Sequence, residues 1–374
     1  MDAPTKFEKW VPIISLILFA VGSTAYAAWS VVVVDVSTSL QNRTSLENQR
    51  LTLIEVDNQP AISYQFFDDN VRYSRFDGTE WDIQDIDDGF SVLSSTSMKI
   101  VDGVPAVAFT QYISNQTSFN YAWLNNDTWQ VEVIEPTYNE ASAPFVSLAV
   151  VNGTPAVVYN KNESLLYAVR TETGWQVQTV AEDVQELQGN VDYLGVSFLG
   201  VWDVTLVEYN SSPMILYNAS PDGMKLATLG ESGWQFEVIP SASEQAYNAT
   251  LAIIDGQPAV IYHDDFVYYA HYNEQTMQWQ HTPIAEIIQD GTFANRLMAL
   301  SRLTTFNGQP AFAFSVVEDR KYSIKVAFFD GSEWFTRTIV TSDFIIFDVE
   351  LADIDGVPMV AYYQYTQQFV AVND

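Results

Sequence analysis

The chain contains no cysteine. Disulfides, zinc–thiolate sites and cysteine nucleophiles are excluded together, and any compartment is compatible with this. Basic residues are scarce: 16 Lys and Arg stand against 47 Asp and Glu, a formal charge of −31 over 374 residues. Such a field repels nucleic acid and anionic membrane surfaces, because neutralising phosphates requires clustered Lys and Arg. It favours solubility, cations and basic partners. Also missing are a long amphipathic helical period, a P-loop, a nucleophile elbow and a His-Glu-x-x-His pair.

What is present is a repeat. Hydrophobic residues make up 48% and aromatics 14%, ample for a large core. The phrase Gly-x-Pro-Ala-Val-x-Tyr recurs around Pro60, Pro105, Pro155, Pro213, Pro258, Pro310 and Pro358, at intervals of 45 to 58 residues. That spacing belongs to blades or solenoid units. Four residues after each proline stands an aromatic, from Tyr64 and Phe109 to Phe314 and Tyr362. Asp-Gly and Asn-Gly pairs such as Asp102-Gly103 and Asn152-Gly153 precede the phrase, and they supply the positive φ angles of a tight hairpin. The strand beginning at each proline is apolar on both faces, as in Ala156-Val-Val-Tyr159, so it must be covered on both sides. A third strand carries a small residue at Ser74, Ala122, Ala168, Ala227, Ala270, Ala327 and Ala371. A fourth opens with tryptophan at Trp81, Trp129, Trp175, Trp234, Trp279 and Trp334.

These marks predict an all-β, seven-bladed β-propeller of four-stranded antiparallel blades over 29–374. Polar capping repeats, which a solenoid needs, are not visible. The tryptophan expected after Ala371 would lie beyond the chain, so Trp29–Val36 is predicted to close the ring as the outer strand of the last blade. Upstream, no charge occurs between Trp10 and Val34. Residues 1–28 read as an apolar helix, either a cleaved secretory signal, with Ala25-Tyr26-Ala27 as cleavage pattern, or a retained signal anchor. The chain is then exported or displayed at a cell or virion surface, and touches a membrane only through that helix.

The repeat resembles that of surface and secreted seven-bladed propeller proteins, whose units read roughly Asp-Gly-x-Pro-Ala-Val-Ala-Tyr, then Leu-x-Tyr-Ala, then Gly-x-Trp. This resemblance spans 29–374 and implies the fold, not an activity. Sialidase-like propellers resemble the chain in fold alone. Their hairpin box reads Ser-x-Asp-x-Gly-x-x-Trp, whereas Asp77-Gly-Thr-Glu-Trp81 is one residue shorter and lacks the serine. Their arginine triad has no repeated counterpart among Arg72, Arg75, Arg170, Arg296 and Arg302.

Propeller topology places the loops between blades on one face, together with those between second and third strands. Here these loops are long and irregular, while the opposite turns are short and uniform. Binding usually lives on such irregular loops. The expected ligand-binding set is therefore Phe66, Phe67, Asp68, Asp69, Tyr112, Tyr138, Asp264, Asp265, Glu318, Asp319 and Tyr365. Rings and carboxylates suit a glycan, or a protein ligand. The same oxygens suit Ca²⁺, although no Asp-x-Asp-x-Asp-Gly loop is present, so no cofactor is expected. His263, His271 and His281 sit too far apart on their hairpin to share zinc. No catalytic residue is assigned. Asn-x-Ser/Thr sequons occur at Asn42, Asn115, Asn126, Asn152, Asn162, Asn210, Asn218 and Asn248, as in a surface glycoprotein. Three readings stay open: a non-enzymatic recognition or scaffold module, a polysaccharide hydrolase or lyase with carboxylates at the propeller mouth, and a structural coat component. Acids with raised pKa values on the inner strands would favour the enzyme.

Overall fold

In the computed structural model the described residues are 8–19, 29–36, 50–65, 70–87, 95–113, 116–138, 145–161, 164–182, 184, 204–219, 223–241, 246–287, 295–318 and 320–369. Every regular element among them is a β-strand. Two strands come first, β1 (Glu8–Phe19) and β2 (Trp29–Val36). Blade one is β3 (Thr52–Val56), β4 (Gln59–Gln65), β5 (Val71–Phe76) and β6 (Trp81–Asp87). Blade two is β7 (Thr96–Val101), β8 (Val104–Ile113), β9 (Gln116–Asn125) and β10 (Thr128–Tyr138). Blade three is β11 (Val146–Val151), β12 (Thr154–Lys161), β13 (Ser164–Thr171) and β14 (Gly174–Ala181). Blade four is β15 (Thr205–Tyr209), β16 (Ser212–Ala219), β17 (Gly223–Gly230) and β18 (Gly233–Val238). Blade five is β19 (Tyr247–Ile254), β20 (Gln257–His263), β21 (Phe266–Asn273) and β22 (Gln278–Glu286). Blade six has an inner strand in two pieces, β23 (Asn295–Leu300) and β24 (Thr304–Phe306), both paired to β25 (Gln309–Glu318), then β26 (Lys321–Phe329) and β27 (Trp334–Ser342). The chain ends in β28 (Ile346–Ile354) and β29 (Val357–Phe369).

Two sequence expectations are corrected here. Six blades are complete units of consecutive strands, not seven. The last copy of the repeat, at Pro358, supplies only two strands, and a composite sheet of order β2-β1-β29-β28 is assembled from both chain ends. In addition, the apolar stretch expected to be a helix is strand β1. It pairs antiparallel with β29, with Leu16 opposite Ala361 and Ile17 opposite Val360. The physical reason lies in the edge that β29 would otherwise expose, a row of unpaired N–H and C=O groups. A short aliphatic run such as Ile13-Ile-Ser-Leu-Ile-Leu18 fits a strand as readily as a helix by pattern alone. Ile17 thus takes the register place that Ala168 holds in blade three, and Trp29, two residues before Val31, takes the place of Trp175. Trp29–Val36 is the outer strand of the terminal sheet, as expected, but it pairs with β1 and not with the chain's last strand; Ala371 lies outside the described residues. No helix among the described residues is long and apolar enough to cross a membrane.

Tight turns join first to second strands with both central residues at positive φ, for example Asp102 at 50° and Gly103 at 80°. This is the type I′ geometry that matches strand twist. Second strands are buried through their length, as in β16 and β12, whereas outer strands such as β18 face solvent. The small residues Ser74, Ala122, Ala168, Ala227, Ala270 and Ala327 are fully buried. The core is divided into clusters, each shared by two adjacent sheets. One joins blades two and three around Tyr121, Tyr159 and Ala168. The composite sheet packs on blade six through Val349, Val360 and Tyr362, and on blade one through Ala361 and Tyr363. Tyr363 Oη also donates to Gln65 O at 2.7 Å.

Candidate functional site

The fourth-strand tryptophans hold neighbouring blades together. Each described pair sets a tryptophan against a third-strand tyrosine of the preceding blade: Tyr73–Trp129, Tyr121–Trp175, Tyr167–Trp234 and Tyr269–Trp334, with centroids 5.1–5.5 Å apart. Several indole N–H groups donate to a polar side chain on the preceding blade, as Trp129 Nε1 does to Gln84 Oε1 at 3.1 Å and Trp279 Nε1 to Glu237 Oε1 at 2.9 Å. Two residues beyond the buried small residue, five blades carry Phe76, Leu124, Leu229, Tyr272 or Phe329. Three of these rings lean on their own hairpin's tryptophan at 5.6–5.8 Å.

Blade three breaks this pattern with Arg170. Its Nε donates to Glu132 Oε1 at 2.8 Å and one Nη to Glu132 Oε2 at 3.2 Å, a two-pronged pair across to blade two. Trp175 Nε1 donates to the same carboxylate at 2.7 Å. The guanidinium lies 4.8 Å from the Trp123 ring centroid and 5.7 Å from that of Tyr121. Arg170 and Glu132 retain 34% and 29% side-chain exposure, so the group opens to solvent at the cleft. Burial pushes the Tyr121 hydroxyl up to about 12, with Arg170 pulling it down and Glu132 adding to the rise, so it stays a neutral donor. Two indoles, a guanidinium and a carboxylate therefore converge on one half-open cleft.

A second concentration of chemistry lies on the ring axis. The residues eight before each repeat proline are Thr52, Ser97, Ser147, Thr205, Thr250, Arg302 and Glu350. Several act as latches between adjacent inner strands. Leu148 N donates to Ser97 Oγ at 2.9 Å, Leu206 N to Ser147 Oγ at 3.0 Å, and Leu303 N to Thr250 Oγ1 at 3.0 Å. At the composite sheet the acceptors are charged: Arg302 N donates to Glu350 Oε2 at 3.1 Å, and Leu51 N to Asp348 Oδ2 at 2.7 Å. The inner strand of blade six breaks between β23 and β24, where the Arg302 guanidinium binds Glu350 Oε1 at 2.9 Å. It reaches the carbonyls of Leu51 and Thr96 at 3.3 Å. Arg50 Nη1 donates to Leu300 O at 2.9 Å and lies 3.8 Å from Asp348.

From this ring a cavity of about 650 Å³ runs along the inner strands toward the short turns. Its wall includes Ile54, Lys99, Ala149, Val207, Ala252 and Ala352, and nearer the turns Glu55, Glu208 and Asp353. Lys99 has no hydrogen bond or ion pair among the described residues. Its amine is free to the channel by surface area yet deep within the ring, and the depth governs its charge. Desolvation there, with Arg302 beside it, holds the ammonium below the usual lysine range, against the pull of Glu350. Burial raises Asp348 to about 7 despite Arg50 and the Leu51 N–H. That acid does not line the cavity, however, and Glu350, which does, is tied to Arg302. The same wall carries Asp353, whose Oδ1 has no hydrogen-bond partner among the described residues.

Of the expected long-loop set, only Asp264, Asp265 and Glu318 have described side chains. Phe66, Phe67, Asp68, Asp69 and Asp319 lie outside the described residues. Tyr112, Tyr138 and Tyr365 fall on β8, β10 and β29, with side chains that are not described. Asp264 and Asp265 form the β20–β21 hairpin tip, where Asp265 Oδ1 accepts from Tyr268 Oη at 3.0 Å, while Glu318 accepts from Lys325 Nζ at 2.5 Å. These bonds of Asp265 and Glu318 are local to their own hairpins. Asp77 Oδ1 accepts three bonds from Thr79 and Glu80, as Asp330 does from Ser332 and Glu333, so the boxes before Trp81 and Trp334 lock their own turns. His263 pairs with Val267 and His271 with Ala259, four positions apart on the hairpin. His281 Nδ1 meets Tyr262 Oη at 2.9 Å, and burial, then His271, lower its pKa. No group of three metal-ligating side chains occurs among the described residues. Of the sequons, Asn126 and Asn210 sit in exposed turns, while Asn218 is buried.

Both gatherings have sequence signals that the repeat alone offered: the polar residue eight before each proline, and the single cation two after the buried alanine. No family model matches the chain, and no curated protein sequence matches it. Among solved structures, the SapL1 lectin in complex with alpha methyl fucoside superimposes with a TM-score of 0.51 at 12% identity, covering 78% of this chain and 96% of the lectin. The Aleuria aurantia lectin with Fucalpha1-6GlcNAc reaches 0.49 at 13% identity, covering 78% and 96%. A Trypanosoma rangeli sialidase in complex with sialic acid reaches 0.46 at 11% identity, covering 85% and 59%. The first of these likenesses speaks for the propeller fold.

Proposed function

We propose that this chain is a non-enzymatic recognition propeller that binds a saccharide in the cleft between blades two and three. The observation that carries the reading is Arg170, the one cation at a position where the other described blades place an apolar or aromatic side chain. Sequences depart from their own repeat chiefly at functional sites. Stacked over Trp123 and gripped by Glu132, its guanidinium presents its remaining donors beside two indoles. Rings stack on the apolar faces of sugars, while guanidinium and carboxylate serve the hydroxyls.

A glycan array followed by calorimetric titration tests this, with alpha methyl fucoside as first probe because a lectin of the same fold is solved with it. Arg170→Ala and Trp123→Ala should each weaken the best ligand by roughly tenfold or more, the worth of one charge-assisted bond or ring contact. Polysaccharides should be bound and left uncleaved. Unchanged affinity in both variants, with loss in a Phe67→Ala/Tyr365→Ala double variant, would move the site to the long-loop face.

A further inference from the structure

The wall of the axial cavity carries two cations, Lys99 and Arg302, and four acids, Glu55, Glu208, Glu350 and Asp353, yet at the Lys99 end the cations outnumber the acids. Lys99 and Arg302 both line it, and Glu350 alone balances them at close range. The neighbouring Arg50 faces Asp348, whose carboxyl is half protonated near neutrality, so no surplus negative charge comes from there. Lys99 is open to the channel and has no ion pair among the described residues, so its ammonium can take a counter-charge from a ligand. Lys99 is also a departure from the repeat: the corresponding residues are Ile54, Ala149, Val207, Ala252, Thr304 and Ala352. A hydrophobic wall would be the default, and a lysine has been placed in it.

Arg302 uses Nη1 twice and Nη2 once, which leaves its Nε–H and one Nη2 proton available. The Lys99 ammonium has all three donors available. Toward the turns, Asp353 Oδ1 is buried with no hydrogen-bond partner among the described residues, and it too lines the cavity. Two neighbouring donors, Arg302 and Lys99, an apolar wall and an unsatisfied acceptor nearer the turns describe a receptor with polarity. The volume, about 650 Å³, is that of a small-molecule site.

We propose that the axial cavity is a binding site for a small organic carboxylate, its carboxylate between Lys99 and Arg302, its apolar body along the aliphatic wall, and a hydrogen-bond donor at its far end meeting Asp353. This site is separate from the saccharide cleft and does not depend on it.

The test uses the full chain and three probes: para-hydroxyphenylacetate, phenylacetate, which lacks the far donor, and tyrosol, which lacks the carboxylate. Calorimetry should rank them in that order, with tyrosol weaker than the first by roughly tenfold or more. Lys99→Ile, a residue the repeat already tolerates at Ile54, should lose both acids to a similar degree, and Lys99→Arg should keep most of the affinity. Arg170→Ala should bind all three as the parent does, which separates failure here from failure of the saccharide reading. Without ligand, Lys99→Ile should melt at or above the parent temperature, since it removes an unbalanced charge. If that variant does not fold, Lys99→Thr, matching Thr304, replaces it. Absence of acid binding to the parent, equal binding of tyrosol, or equal binding by the folded Lys99 variant overturns the proposal. Phenylacetate binding as tightly as its hydroxylated analogue overturns the role of Asp353.

Discussion

Blades one to six and the composite sheet reach the same four-stranded geometry by different means. In the six, each strand pairs with one reached through a hairpin, so pairing is local in sequence. In the composite sheet β1 meets β29 across nearly the whole chain, in a ladder that runs from Glu8–Phe369 to Leu18–Met359. The latches differ as well. Between blades two, three and four, serine hydroxyls accept inner-strand N–H groups, whereas the composite sheet uses Asp348 and Glu350. A neutral latch needs no counter-charge. Charged latches bring Arg50 and Arg302 to the axis, and the cavity inherits its polarity from them.

Removing the local/non-local distinction at its root should have the largest effect. Deletion of residues 1–36 strips β1 and β2 and leaves β29 an open edge beside the β28 core. We expect loss of several kcal/mol, enough to abolish a cooperative melt in a domain of ordinary stability, and a tendency to associate through that edge. Circular dichroism melts and light scattering report both.

Glu350→Ala comes next. It leaves the Arg302 guanidinium and N–H without their carboxylate in the ring, a loss of about 3–5 kcal/mol if the pair behaves as buried pairs do. The comparison variant Ser147→Ala orphans only the Leu206 N–H and should cost about 1–3 kcal/mol in urea unfolding. Equal losses would erase the distinction between charged and neutral latches.

Asp348 gives that distinction a pH dependence. Its folded pKa of about 7 lies above the ordinary 3.8, so the folded state holds the extra proton between those values. Its stability contribution is complete below pH 3.8 and is lost as pH rises through about 7. The span corresponds to on the order of 2–4 kcal/mol, desolvation being the leading cause. Asp348→Asn keeps an acceptor for Leu51 N, so it should flatten the parent's decline in stability from pH 5 to pH 8. An unaltered slope would assign the decline to general acidic repulsion instead.

Arg170→Ala should change stability least, by about 1 kcal/mol or less, since half-exposed ion pairs contribute little. Its expected effect is on saccharide binding, and a large stability loss would make the cleft a structural joint.

Much of this architecture was readable before any coordinates. The Asp-Gly and Asn-Gly pairs announced the type I′ turns, the buried alanines marked the third strands, and Trp29 announced the outer strand of the terminal sheet. The apolar segment after Trp10 was not readable, because an aliphatic run lacks the periodicity that separates helix from buried strand. Its partner β29 is remote in sequence, so no hairpin signal pointed to it. The ring of polar residues on the axis was present in the repeat but unremarkable one residue at a time, since serine and threonine are common in strands. Only alignment of the repeats on their prolines exposes Arg302 and Glu350 as departures, and alignment on the small residue does the same for Arg170. The loop set from Phe66 to Tyr365 was chosen for composition and loop length, and neither quantity carries the distances between blades.

The pairing of the two chain ends is the claim on which the composite sheet, its charged latches and the axial cavity rest. A cysteine-free chain allows a clean test: the double variant Leu16→Cys/Ala361→Cys, oxidised and examined by intact mass and peptide mapping. The account predicts one intramolecular disulfide, formed in nearly every molecule of the folded protein and raising its melting temperature, with no cross-link in a Leu16→Cys/Ala168→Cys control. Two free thiols in the folded double variant, or cross-linking equal to that of the control, would contradict it.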